Sequence, residues 1–293
     1  MDSSKILLYT CLGENPSYLQ VFSFLMRSLM CHHHSPPYFD FLIIVDENLY
    51  AHVQKWISDV HFPFSIFLHQ ADTQSHAAYQ DNNMAPSYLK LHLFDWPRVF
   101  SYDTALFIDA DIIVPPHFDM RDFIVSQACN PEKLEDGCLY AMREFEDMCM
   151  HRMHYFDLHD YTDEEIAAFE EEGIYAFNTG LFSFKVNADI KRIFSDILEM
   201  IHTTPDPRLF FYEQSFMNVY LNRTRRARYD VITHDHCELF VRPESAFVPK
   251  LLHFCGEASN GKSKGDFMHA FCSRNCPEIL QHVGDQNKEE NAS

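Results

Sequence analysis

The stretch Thr104-Ala-Leu-Phe-Ile-Asp-Ala-Asp-Ile-Ile-Val114 places two carboxylates, Asp109 and Asp111, inside an apolar run with only Ala110 between them. In an extended backbone, residues two apart point to the same face, so both carboxylates would converge on one spot. Like charges repel there, and a polar group in an apolar strand costs free energy unless it has a partner. A hard divalent cation held by oxygen ligands is the simplest partner. The plainer reading is a strand end with two solvated aspartates. Which of the two holds depends on the fold around the stretch.

The preceding pattern supplies a fold with a place for such a site. Lys5–Cys11, Phe39–Val45 and Phe64–Leu68 read as buried strands. Leu19, Phe22, Met26 and Leu29 share one face of an amphipathic helix, with Asn15-Pro16 as its start signal. Asn48–Ile57 and Met84–Trp96 read as further helices. Strand and helix alternate, which predicts an α/β fold with a mainly parallel central sheet flanked by helices. Ligands of such sheets bind beyond the carboxyl ends of the strands, where Asp109 and Asp111 fall.

The second half is less regular. Gly137–Met142, Tyr175–Lys185, Tyr229–Thr233 and Leu251–Phe254 read as strands, and Asn187–Ile201 and Phe211–Leu221 as helices. Arg143–Glu172 is rich in acids, histidines and aromatics and reads as an insertion forming helices or a lid. Its Asp163-Glu164-Glu165 makes an acidic first helical turn. His151, His154 and His159 with Asp157 and Asp160 can also be drawn as a metal cluster. His32-His33-His34 reads as a solvated loop. A single domain is expected over residues 5–265, with an extension over 266–283 and a polar, disordered tail over 284–293.

Composition narrows the function. The net charge of −20 argues against a nucleic-acid partner, which demands a surplus of Lys and Arg. There are eight glycines, with no G-x-G-x-x-G after the first strand and no G-x-x-x-x-G-K-[ST], so dinucleotide oxidoreductases and P-loop enzymes are disfavoured. Nucleotide phosphates would need neutralising by other means, and a divalent cation on Asp109 and Asp111 would serve. The nine cysteines lack framework spacing, and the start runs directly into a strand without a leader. These features point to reduced thiols and a cytoplasmic protein. Cys272-x3-Cys276 has no second pair at zinc spacing. No apolar run approaches the ~20 residues of a membrane span.

Four pieces in sequence order then carry a resemblance. They are Leu89-Lys-Leu-His-Leu-Phe-Asp-Trp96 leading into Tyr102–Val114, Phe177-Asn-Thr-Gly-Leu-Phe182, Glu213-Gln-Ser-Phe-Met-Asn218, and Leu252-His-Phe-Cys-Gly256. Together with Tyr9-Thr-Cys11 they resemble the retaining glycosyltransferases of family 8, the group of glycogenin and bacterial galactosyltransferases. The resemblance implies a GT-A, Rossmann-like fold and a nucleotide-sugar donor, UDP-hexose by preference. It implies Mn2+ or Mg2+ on Asp109, Asp111 and His253. Lys90 would contact the donor's diphosphate or sugar. Thr10 and Cys11 would lie by the base, Asp109, Ala110 and Asp111 on the ribose side, and Asn178, Thr179 and Gly180 along the donor sugar. His253 and Gly256 would also touch the donor.

Gln214 would stabilise an oxocarbenium-like centre through its amide oxygen. Glu213 would bind sugar hydroxyls or act as nucleophile; the family has Asp-Gln where this chain has Glu-Gln. The family also carries H-F-x-G-x-x-K-P-W, whereas Ser259 stands three residues after Gly256 here, so Lys262 or Lys264 would take over the diphosphate contact. The acceptor would be a glycan or protein hydroxyl, with the insertion shaping its site; the sequence does not fix the oligomeric state, a homodimer being one option. Glycogenin's self-glucosylated tyrosine has no match here. The competing readings are a metal-dependent nucleotidyltransferase or phosphohydrolase, and an inactive sugar-nucleotide-binding protein.

Overall fold

The computed structural model describes residues 4–13, 17–32, 37–72, 85–144, 162–203, 213–256 and 263–281. Its first strand, β1 (Ile6–Leu12), is buried along its whole length. Ile6, Leu8 and Leu12 enter one apolar cluster and Leu7, Tyr9 and Cys11 another. A strand covered on both faces reads as a continuous apolar run, which is why period-two alternation is missing from Lys5–Cys11.

Helix α1 (Ser17–Met30) brings Phe22, Leu25, Met26 and Leu29 to the first cluster. β2 (Asp40–Val45) follows, then α2 (Glu47–Asp59), whose start is capped by Asp46 accepting from Leu49 N at 2.9 Å. β3 is Ile66–Gln70. The expected helix over Met84–Trp96 is instead one α-turn, α3 (Ala85–Tyr88), running into a 3₁₀ segment, Leu89–Asp95. Five residues of that segment in a row, Leu89 to Leu93, are buried. In a segment buried on every side, apolar spacing does not separate α from 3₁₀ geometry.

β4 (Thr104–Ile108) stops one residue before the first aspartate, and β5 is Ile112–Ile113. Asp109-Ala110-Asp111 is thus a turn, closed by Ile112 N donating to Asp109 O at 3.1 Å. The pleat argument for the two carboxylates does not apply; a tight turn brings them together instead.

After β6 (Leu139–Arg143), helix α4 (Asp163–Glu172) carries a Thr162/Glu165 capping box. β7 (Phe177–Lys185) precedes α5 (Ala188–Thr203) and α6 (Glu213–Arg223). Ile190, Ile193, Phe194, Ile197 and Ile201 of α5 cover the second cluster. Tyr229–Thr233 is not a strand; the pairing residues there are β8 (Ala227–Arg228) and β9 (Cys237–Glu238). β10 (Leu251–His253) and α7 (Lys264–Asn275) complete the fold. The strands order as β3-β2-β1-β4-β7-β6-β8 in a mainly parallel sheet, with a small second sheet, β5-β10-β9. The first four strands in that order are parallel, and β7 enters antiparallel to β4.

Among the described residues no helix is long and apolar enough to cross a membrane. The expected His151/His154/His159 cluster, the Asn15-Pro16 start signal, the tail and Lys262 lie outside the described residues. Of the three adjacent histidines, His32 is described, and a ring nitrogen lies 2.8 Å from Pro115 O.

Candidate active site

Three strand ends meet at the Asp109–Asp111 turn. β1 runs parallel to β4 with Tyr9 opposite Phe107, and Thr10 and Cys11 follow at its carboxyl end. β7 runs antiparallel to β4 with Leu181 opposite Ile108, so Asp109 N donates to Gly180 O at 2.8 Å. β10 lies antiparallel to β5 with His253 opposite Ile112, and Phe254 N donates to Asp111 O at 3.1 Å. Local pairing of two very short strands is therefore what carries a distant histidine to the turn.

Asp109, Asp111 and His253 each offer one ligand atom, all within 4.8 Å of one another. His253 Nε2 is 3.0 Å from Asp111 Oδ1 and 3.9 Å from Asp109 Oδ2. Asp111 Oδ1 is buried yet receives no hydrogen bond of normal geometry. Two carboxylate oxygens and an imidazole nitrogen, one oxygen without a donor, suit a divalent cation such as Mn2+ or Mg2+. Gly180 makes room for the ring: a Cβ at this position would sit 2.2 Å from His253 Cε1.

Lys264, the first residue of α7, reaches Asp111 Oδ2 at 2.5 Å. Its helix starts at a Ser263/Asp266 capping box. Burial alone would raise the Asp111 pKa, but the Lys264 ammonium and the His253 imidazole hold it well below the usual carboxylate range. Asp109 goes the other way: burial, then the like charge of Asp111, raise it against the pull of Lys90. The two carboxylates thus differ in proton affinity, as two like charges in one place require.

Beneath the turn lies a second layer, of buried polar side chains. Lys90 Nζ donates to Glu213 Oε1 at 2.7 Å and to Thr179 O at 3.1 Å, with both ionic side chains about 95% buried (relative exposure 3% and 5%). Thr179 Oγ1 donates to the same Glu213 oxygen at 2.8 Å. Lys90 Nζ also sits 4.5 Å from the centre of the Phe107 ring. Burial works against its charge, but Glu213 and Asp109 keep its pKa above the ordinary lysine value.

The donor-sugar candidates from the sequence fall in this layer too. Thr179 N donates to Gln214 Oε1 at 3.1 Å, and Gly180 N to Asn178 Oδ1 at 2.9 Å. Asn218, one turn after Gln214 on α6, clamps β7 by accepting from Phe177 N and donating to Phe177 O, both at 2.9 Å. Gly256 holds φ +84°, with the Arg242 guanidinium 3.3 Å from where a Cβ would lie, so glycine is needed there. Cys11 is buried, which raises its thiol pKa and keeps it a poor nucleophile.

The sequence reading missed Glu144. Its Oε2 accepts from Asn178 Nδ2 at 3.2 Å and from Gln214 Nε2 at 3.0 Å. It sits directly after β6 in a run of charged residues that reads as the start of the insertion. The register of β6 against β7 shifts just before it, between Ala141 and Arg143, and nothing in the local sequence marks it as buried.

The sequence profile of Glycosyl transferase family 8 matches residues 10–259. No curated protein matches by sequence. Among solved structures, the galactosyltransferase LgtC, in complex with donor and acceptor sugar analogues, superposes with a TM-score of 0.61 at 12% identity, over 97% of this chain and 99% of that one. The bifunctional glycosyltransferase WbbM gives 0.59 at 16% identity, over 96% of this chain but 51% of that longer protein, so this chain spans about half of it. The glycosyltransferase GlyE of Streptococcus pneumoniae gives 0.53 at 12% identity, over 98% and 64%. At these identities the structural likeness establishes the GT-A fold alone.

Proposed function

The chain belongs to glycosyl transferase family 8 and is a glycosyltransferase, and on that premise we propose that it moves a hexose from a nucleotide-diphosphate sugar, UDP-hexose by preference, to a hydroxyl of a glycan or protein with retention of configuration. The observation that supports this most is the convergence of Asp109, Asp111 and His253 at the carboxyl end of β4. These three would hold Mn2+ or Mg2+, which when bound supplies positive charge against a departing diphosphate. Lys264, already at Asp111, is placed to turn its ammonium to the same diphosphate.

Asn178, Thr179 and Gly180 line the donor sugar in this reading, with Gln214 fixed behind them. Its amide oxygen, turned to the end of β7, favours positive charge developing at the anomeric carbon. Glu213 gives one oxygen to both Lys90 and Thr179, which speaks for a charge-balancing role and against a free nucleophile. The acceptor hydroxyl then attacks on the face from which the diphosphate departs, and its proton passes to the departing diphosphate oxygen. The C–O bond to the diphosphate breaks as the new glycosidic bond forms.

The test is a panel of nucleotide sugars with Mn2+, followed by release of nucleoside diphosphate. One donor is turned over slowly by water in the absence of acceptor, and EDTA abolishes the release. Absence of turnover with every donor, with and without candidate acceptors, would overturn the reading.

A further inference from the structure

The amides of Gln214 and Asn178 have their polarity set from two sides. A side-chain amide can present either its oxygen or its NH2 to a neighbour, and only the hydrogen-bond network decides which. The backbone N–H groups of Thr179 and Gly180 are donors that cannot reverse. They demand the oxygens, Gln214 Oε1 at 3.1 Å and Asn178 Oδ1 at 2.9 Å. Both NH2 groups must then face away from β7, and both meet the same atom, Glu144 Oε2, at 3.0 and 3.2 Å. An atom receiving two N–H donors has to be a pure acceptor.

Glu144 is itself held firmly. Its backbone N donates to Ala176 O at 2.8 Å, on the segment entering β7. Its side chain is buried, with 4% of the residue exposed. Burial raises its pKa, and the hydrogen bonds from Asn178 and Gln214 and the charge of His253 act against that rise. A buried carboxylate is retained at a cost, and here it stands between two candidate sugar-binding amides.

We propose that Glu144 is a positioning residue for sugar transfer, locking the amides of Gln214 and Asn178 in the one orientation that turns both oxygens to the end of β7. The inference rests on the proposed function only for its kinetic consequence; the locking is a property of the protein by itself. Two variants separate the acceptor from the charge. Glu144→Gln keeps an oxygen that can accept both N–H groups. Glu144→Met keeps the bulk and removes the acceptor, so the two amides lose their common partner.

The experiment has two readouts on the same proteins. In the first, the side-chain amide resonances of Gln214 and Asn178 are followed by NMR in selectively labelled protein. They shift in Glu144→Met and stay near their wild-type positions in Glu144→Gln; unmoved resonances in Glu144→Met overturn the proposal whatever the activity. In the second, with the donor that the wild type turns over, Glu144→Met lowers kcat by about 100-fold while donor KM changes by less than about threefold, and Glu144→Gln recovers kcat to within about tenfold of wild type. Retained kcat in Glu144→Met, or equal losses in both variants, also overturns it. If the resonances respond as described but no donor is turned over, the locking stands and the proposed function falls. Thermal unfolding of both variants identifies a protein that has failed to fold, and Glu144→Gln then carries the test.

Discussion

Lys264 Nζ lies 2.5 Å from Asp111 Oδ2, so the cation nearest the candidate metal ligands is one of the protein's own. The ammonium neutralises a carboxylate that burial would otherwise penalise. A divalent cation arriving at Asp111 meets that charge, and a diphosphate arriving with it offers Lys264 a new partner. Lys264→Met should therefore bind Mn2+ about tenfold more tightly than wild type in the absence of nucleotide, about 1.4 kcal/mol. The same variant should bind UDP more weakly once Mn2+ is present. Titration by electron paramagnetic resonance of free Mn2+ measures the first effect and calorimetry the second; unchanged Mn2+ affinity would show that Lys264 does not compete.

His253 lies so close over Gly180 that a methyl group at 180 would sit 2.2 Å from the ring. Gly180→Ala has to push the imidazole away from Asp111, because the other nearby atoms belong to Asn178 and the ring itself. The expected result is loss of Mn2+ binding by at least about tenfold together with a stability loss of about 1–3 kcal/mol, as overpacking typically gives. Urea unfolding and Mn2+ titration of the one variant check both halves. Retained binding would mean that His253 is not needed as a ligand.

Asn218 satisfies both backbone groups of Phe177 from inside the protein and is fully buried. Asn218→Leu matches its size approximately but leaves a buried N–H and a buried C=O unpaired. A loss of about 2–4 kcal/mol in unfolding free energy is expected from the two groups, read from the urea midpoint at constant slope. A loss below about 0.5 kcal/mol would show that water reaches the start of β7.

Asp111 is held below the usual carboxylate range by Lys264 and His253 despite its burial. A carboxylate whose folded pKa is depressed adds stability above its unfolded pKa and loses it as pH falls towards the folded value. The wild type should therefore lose stability relative to Asp111→Asn only as pH drops below about 4. Unfolding midpoints of both, measured at matched ionic strength across pH, give the comparison; a difference that stays unchanged down to about pH 2 would remove Asp111 as the low-pKa group.

Much of the site could be read from the chain because its residue types are demanding. Asp109 and Asp111 stand out as charges in an apolar run, and Phe177–Phe182 and Glu213–Asn218 stand out as polar groups at the ends of apolar elements. The sequence reading brought His253 to the aspartates through family resemblance, and in the structure β5 and β10, of two and three residues, provide the path. Strands that short carry no periodicity, so nothing local reveals their pairing. The same limit explains the turn at Asp109-Ala110-Asp111, which looks like uninterrupted strand because Ile112 and Ile113 continue the apolar run. Leu89–Asp95 misled in the opposite sense: its apolar spacing fits an α-helix, and the 3₁₀ form of the segment leaves no signature in its residue types. Glu144 could not be recognised at all, since it stands in a charged run and its partners, Asn178 and Gln214, are 34 and 70 residues away in the chain.

The account turns on whether Asp109, Asp111 and His253 hold one divalent cation. The most direct measurement is Mn2+ uptake by electron paramagnetic resonance in the presence of saturating UDP, comparing wild type with Asp111→Asn and His253→Ala. The wild type is predicted to remove one equivalent of Mn2+ from solution, and both variants to weaken that uptake by at least about 100-fold, in line with the loss of a direct ligand. Uptake that is equal in all three proteins would contradict the account.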